Sequence, residues 1–303
     1  MECSGGDGFN NVGNFFETGK VVYIGICLKK TSGFYAAIKH RDKVAVYNIS
    51  TDSSPTDEEV IDWVRSYDHK IKSKIIAIGF SNVDQPNHVR SRMWRELDIV
   101  PFVFQQTEKR ADKQAEKNCY RAADEFNQEN LPRIKVGKNR EVQVPRFSKL
   151  EDYKETVSEE EFNFLLEVSR EFKKKKVKMV FFSSTKSGGG VALMRHALIR
   201  LCKLLGVKVS WHVMNSKKEI FNISKKKFHN ILQGVAPAYV KLTESEVEDF
   251  ENWSKENADR FKKLFQQADV VVIDDPQPSG MIPHIKKVNP EAKIMYRSHI
   301  QLE

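Results

Sequence analysis

The chain has 303 residues, 40% of them hydrophobic and 30% charged, with 50 Lys and Arg against 41 Asp and Glu for a formal charge of +9. That length can bury two ordinary cores, and the balance excludes a disordered chain; the positive surface attracts anions without choosing among phosphorylated metabolites, nucleic acid and acidic lipid. Four scattered cysteines (Cys3, Cys27, Cys119, Cys202), no apolar run of membrane length and no signal-like start disfavour a disulfide framework, a structural zinc site, a membrane span and secretion, so a soluble, cytoplasmic protein is expected.

Residues 1–19 read as a disordered tail. Three apolar runs follow, 21–28, 34–39 and 43–49, separated by the turn pairs Ser32-Gly33 and Arg41-Asp42, and they predict a three-stranded meander. Thr56 and Glu59 form a capping box for a helix whose buried face is Val60, Ile61, Val64 and Tyr67. A strand at 75–80, a helix at 87–97 and a strand at 100–105 complete the order β-β-β-α-β-α-β, that of ribonuclease H-like folds. Such folds place a catalytic carboxylate on the first strand. Residues 21–28 contain none, so metal-dependent nuclease chemistry is disfavoured and a structural or regulatory role is expected for the mixed α/β domain at 20–106. Residues 107–157 read as an exposed charged helix followed by a linker with two prolines.

From 158 to 303 the pattern changes to alternating strands and helices, the signature of a parallel sheet. Ser158 and Glu161 cap a helix that ends in a lysine run, as suits a helix C-terminus. Val180-Phe181-Phe182 then leads through Ser183-Ser184-Thr185-Lys186-Ser187 into Gly188-Gly189-Gly190 and a helix. Three glycines at a helix start let backbone amides approach an anion, so the loop is a candidate phosphate cradle with Lys186 beside it; a tight strand-to-helix turn explains the same residues equally well. A strand at 207–213 follows, then Lys225-Lys226-Lys227 and a short helix through His229 and Asn230 to Gly234, with His229 read as a surface or core histidine. Thr243 and Glu246 cap a long helix to Gln267. The apolar strand 269–274 opens into Asp275-Pro276-Gln277-Pro278, a polar loop where open α/β sheets bind ligands, and a last strand ends in Arg297-Ser298-His299. The lysine runs lack interleaved aromatics, which disfavours a nucleic-acid-binding module.

Ser184 to Ala192, Trp211-His212-Val213, Phe221-Asn222, Lys227 to Gly234, Asp274 to Pro278 and Tyr296 to Ile300, in that order, resemble the N-terminal half of the trehalose synthase and retaining trehalose phosphorylase group, GT-B glycosyltransferases of family 4 that include the fungal clock-controlled type. The first domain resembles the N-terminal extension of the fungal members with less distinctive motifs. The resemblance implies a Rossmann-like acceptor-side domain at 158–303 acting in glucosyl transfer: trehalose and phosphate to glucose and α-glucose 1-phosphate, or trehalose from an activated glucose. It implies that Gly188, Gly189 and Gly190 with Lys186 cradle the donor phosphate, that His299 and Arg297 serve the transferred glucose, and that Asp275, Gln277 and Asn230 line the acceptor pocket. No cofactor and no metal are expected. Glucose, trehalose, phosphate or a sugar phosphate are the expected ligands, nucleotide-glucose remaining open, with a C-terminal GT-B domain as partner if the chain is a fragment; a homodimer is also left open. The chain ends where a second Rossmann-like domain is expected, so by itself it is expected to be inactive. The alternative is a non-catalytic sugar-phosphate binding or regulatory protein derived from that half.

Overall fold

A computed structural model describes residues 21–29, 31–71, 73–84, 87–128, 132–187 and 189–299; the tail expected at 1–19 and Gly188 lie outside the described residues. The chain divides into two compact units. The first runs to Arg133 and includes Phe147–Asp152, while the second comprises Ile134–Arg146 and the chain from Tyr153 onward. The stretch read as a linker is therefore shared between the two.

In the first unit, β1 (Val21–Leu28), β2 (Phe34–His40), β3 (Lys43–Ile49), β4 (Lys74–Ser81) and β5 (Val100–Phe104) form one sheet in the order β3-β2-β1-β4-β5. The meander pairs antiparallel, and β4 and β5 join it in parallel. This is the mixed, ribonuclease H-like sheet expected from the sequence. Side chains alternate along β1. Val22, Ile24 and Ile26 pack with Val60, Val64 and Met93, which lie on α1 (Asp57–Lys70) and α2 (Asn87–Leu97). Tyr23 and Cys27 face the other layer with Ala115, Cys119 and Ala122 of α3 (Ala111–Asp124). The charged stretch read as an exposed helix thus buries one whole face. Polar residues conceal that face: Gln114 and Asn118 are fully buried, and the Asn118 amide donates to the Ile26 carbonyl at 2.8 Å and to Ser81 Oγ at 3.0 Å.

The approach of α3 to the sheet requires glycine on the strand beneath it. A Cβ at Gly25 would lie 2.1 Å from the Ala115 carbonyl oxygen and 2.2 Å from the Cys119 nitrogen, both backbone atoms that cannot swing aside. Gly25→Ala is expected to lower the unfolding free energy by about 3 kcal/mol, the upper part of the usual range for overpacking. Urea titration checks this against Gly190→Ala, whose Cβ would meet nothing within 4 Å; equal midpoints for the two variants would contradict the packing.

In the second unit, β6 (Lys178–Ser183), β7 (Lys208–Val213), β8 (Val270–Asp274) and β9 (Lys293–Arg297) are all parallel, in the order β7-β6-β8-β9. The central strands β6 and β8 are short and apolar because both their faces are covered, whereas the edge strand β9 is largely exposed. On one face Phe181, Trp211 and Val272 pack with Ala192 and Ile199 of α5 (Gly189–Leu204). On the other, Phe182, Val271 and Ile273 pack with Trp253, Phe261 and Phe265 of α8 (Glu244–Gln267) and Ile285 of α9 (Ile282–Val288). The buried residues Trp253, Asn257, Phe261 and Phe265 recur at four-residue spacing along α8, and the Thr243–Glu246 capping box starts it as expected. The preceding helix α4 (Glu159–Lys174) is likewise started by the Ser158–Glu161 box. Together the mixed sheet and the parallel sheet match the N-terminal half of a GT-B architecture.

Part of the supposed linker belongs to this sheet's edge. Val142 donates its amide to the Trp211 carbonyl at 2.8 Å, and Glu141 bridges His212 in antiparallel fashion. Among the described residues no helix is long and apolar enough to cross a membrane.

Candidate functional site

The chain leaves β6 on one side for α5 and β7, and leaves β8 on the other for α9 and β9. The strand order reverses between β6 and β8. Two connections that diverge from neighbouring strands open a crevice at their carboxyl ends, and there a cavity of about 580 Å³ lies.

One wall is the loop after β6. Ser183, 2% exposed, accepts from Trp211 Nε1 at 2.8 Å and donates to the Thr185 carbonyl at 3.1 Å, which ties the loop to β7. Ser184, Thr185, Ser187 and Gly190 border the cavity beyond it. At Gly190 nothing among the described residues occupies the space where a Cβ would stand, so the first turn of α5 is open there.

The opposite wall is the loop after β8. Asp275 takes φ 67°, a left-handed conformation that Asp tolerates better than most residues. In that conformation its amide donates to the Arg297 carbonyl at 2.9 Å, while its Oδ1 accepts the His299 amide at 3.0 Å. The chain after β9 is thereby folded back over the end of β8. Gln277 follows at 6% exposure, its Oε1 facing no hydrogen-bond partner.

Gly190, Asp275, Gln277 and His299 line this one cavity. Lys186, Arg297 and Asn230 are not among the residues that line it. Lys186 is exposed and donates its Nζ to the Ile134 carbonyl at 3.0 Å, Arg297 is exposed with a guanidinium nitrogen 3.6 Å from Met194 Sδ, and Asn230 uses its carbonyl to close the turn at Val235 and Ala236. Gly189 begins α5.

Residues 181–303 match the family described as trehalose synthase, N-terminal domain, and residues 13–141 match that described as trehalose phosphorylase-like, N-terminal domain. The chain carries the N-terminal domains of the trehalose synthase and trehalose phosphorylase group. The trehalose phosphorylase of Pleurotus pulmonarius is 39% identical over 238 residues, 75% of this chain and 31% of the relative. The trehalose phosphorylase of Grifola frondosa is 37% identical over 233 residues, 73% of this chain and 31% of the relative, and the trehalose synthase of Pyrococcus horikoshii is 38% identical over 154 residues, 51% and 35%. The chain thus spans about a third of the length of these relatives. All the cavity residues lie within the segment matching the synthase domain.

Three features of the site go beyond the sequence expectations. Asp274, fully buried at the end of β8, accepts from Arg195 of α5 through Nε at 2.8 Å and through a second nitrogen, and its Oδ1 is 3.7 Å from His299 Nε2. The Arg195 guanidinium also lies 4.2 Å from the Phe181 ring centroid. Second, the region between β7 and α8 begins with α6 (Lys218–Phe221), passes through a π-helical turn at Asn222–Phe228 and ends in α7 (His229–Leu232). Third, Ser224, Lys225 and His229 of that region, with Lys217, Phe221 and Trp253, border the rest of the cavity. Among the described residues no group of three or more His, Cys, Asp or Glu side chains is arranged to hold a metal ion.

Proposed function

We propose that this cavity is the acceptor-side wall of a glucosyl-transfer site in trehalose metabolism, working with retention at the anomeric carbon. The reaction is cleavage of trehalose by phosphate to glucose and α-glucose 1-phosphate, or its reversal in synthesis from an activated glucose. The observation that carries this reading is the convergence of Gly190, Asp275, Gln277 and His299 in one cavity at the sheet's switch point, inside the segment that matches the trehalose synthase domain. Asp275 and the unpartnered Gln277 amide suit sugar hydroxyls, whose binding needs buried polar groups of fixed direction. His299 stands over the transferred glucose, with Arg297 at the rim. Transfer builds negative charge on the leaving phosphate, and the open amides of the first α5 turn are oriented to stabilise it. The facing wall, with the donor grip, is supplied by a C-terminal domain of the kind that completes a GT-B fold. Cys27, Cys119 and Cys202 are free thiols, which supports a reducing compartment such as the cytoplasm.

Calorimetry with glucose, trehalose and α-glucose 1-phosphate tests the reading. Gln277→Leu, which keeps shape and removes the amide, is expected to weaken glucose binding about tenfold, the cost of one to two buried hydrogen bonds. Equal affinity in the variant, or no binding of any of the three by the wild type, would contradict it.

A further inference from the structure

The sugar contacts leave one wall of the cavity without a role. The π-helical turn Asn222–Phe228 closes when the His229 amide donates to the Ser224 carbonyl, five residues back. Such turns are rare and gather at functional sites. Here the turn sets two basic side chains together, Lys225 Nζ lying 3.4 Å from His229 Nε2, with both residues on the cavity. The neighbouring lysines differ: Lys227 is neutralised by Glu246 at 2.6 Å, and Lys217 by Glu256 at 2.7 Å. No carboxylate among the described residues makes an ion pair with Lys225. His229 is only 9% exposed, so its ring is committed to this wall, and across the cavity the Gln277 amide, 6% exposed, has an unpartnered end.

We infer that Lys225 and His229 form a subsite for a dianionic oxyanion, the phosphoryl group of inorganic phosphate or of a sugar phosphate, on the π-helical wall and not at Lys186. The subsite rests on reading the cavity as a sugar-transfer site, since it gives that site's phosphate charged side-chain partners in addition to the α5 amides. Burial, and then the Lys225 charge, hold the His229 imidazole below its ordinary pKa, while Asp275 across the cavity and the side chains of Asn230 and Gln233 pull it back up. Asp274 and His299 line the same cavity. An arriving anion offsets the Lys225 charge and favours imidazolium, so binding takes up a proton. Affinity must therefore rise as pH falls, and the charge stays on the protein only while the anion is present.

Calorimetry tests this with sulfate, whose charge is constant over the range, beside phosphate, α-glucose 1-phosphate and glucose. Lys225→Gln is expected to weaken sulfate and α-glucose 1-phosphate about tenfold, as for a lost charged hydrogen bond, and to leave glucose unchanged. Lys226→Gln, which removes the same charge from an exposed neighbour outside the cavity, is expected to change neither. Wild-type affinity for sulfate should rise about fivefold between about pH 8 and pH 6 and stay flat in His229→Gln. Tighter binding of α-glucose 1-phosphate than of phosphate assigns the subsite to a sugar phosphate, and equal binding assigns it to the inorganic ion. Equal effects of Lys225→Gln and Lys226→Gln, or a pH slope that survives in His229→Gln, would overturn the subsite. Lys225 is exposed, so its variant keeps the test decisive if His229→Gln does not fold. Sulfate failing while glucose binds sinks the subsite alone; glucose failing while sulfate follows the expected pattern sinks the sugar reading alone.

Discussion

Asp274→Ala is expected to destabilise the second unit by about 3–5 kcal/mol, because it strands Arg195 as an uncompensated charge in a site only 2% exposed. The carboxylate it removes is fully buried and holds the guanidinium through two nitrogens, so its loss leaves Arg195 without its anion. For a unit of this size a loss of that order lowers the melting temperature by roughly 10 °C or more. Replacing both charges, as in Arg195→Met with Asp274→Leu, should restore much of the stability, since two apolar side chains impose no desolvation cost. Differential scanning calorimetry of the single and double variants decides the matter. A single variant melting with the wild type would mean that the pair contributes nothing to the stability of the second unit. The double variant carries a second expectation. With fold recovered, it should still bind glucose less tightly, because His299 Nε2 loses the carboxylate that stands 3.7 Å away.

A second large effect is expected in catalysis: residues 1–303 alone should not convert trehalose and phosphate to glucose and α-glucose 1-phosphate at an enzymatic rate. Each preorganised donor to a developing charge contributes about 10²–10³ in rate, and closing a cleft also excludes water. On the proposed reading this chain supplies the α5 amides, His299 and the Lys225 wall, whereas its aligned segment spans only about a third of the length of its relatives. On that reading a lone wall is expected to bind without turning over. Coupled assay of glucose release in phosphate buffer, with and without the C-terminal domain of a related phosphorylase, measures this directly. Robust turnover by the chain alone, lost in His299→Ala, would show that one wall suffices.

Much of this architecture is legible in the sequence because the elements that matter are locally consistent. The strands β1, β4, β6 and β8 are near-continuous apolar runs, and the capping boxes at Thr56, Ser158 and Thr243 all form, so local chemistry and fold agree at each. What escaped had its signal in tertiary contacts. The buried face of α3 is masked because Gln114 and Asn118 count as polar in any periodicity, yet Asn118 bonds the strand beneath and Gln114 bonds Asn118. The segment from Ile134 to Arg146, irregular and charged, gives no hint that Val142 would bond to the edge of the parallel sheet. At the site, Lys186 stands beside the glycine loop in sequence, and only the fold shows that its Nζ donates to the Ile134 carbonyl. Lys225 sits in a run of three equivalent lysines, and only the π turn separates the one that faces the cavity from the one that pairs with Glu246. The Arg195–Asp274 pair left a fainter trace: an arginine inside an otherwise apolar helical face and an acid ending an apolar strand, each an anomaly that burial would have to explain.

The location of the sugar within the second unit is the claim on which the functional reading depends, and backbone amide chemical-shift mapping with trehalose reads it residue by residue. The shifts should concentrate at Ser184, Thr185, Asp275, Gln277 and His299, and should shrink together in Gln277→Leu. Shifts confined to the first unit, or spread over the lysine runs without the loops after β6 and β8, would contradict a sugar site at the switch point of the parallel sheet.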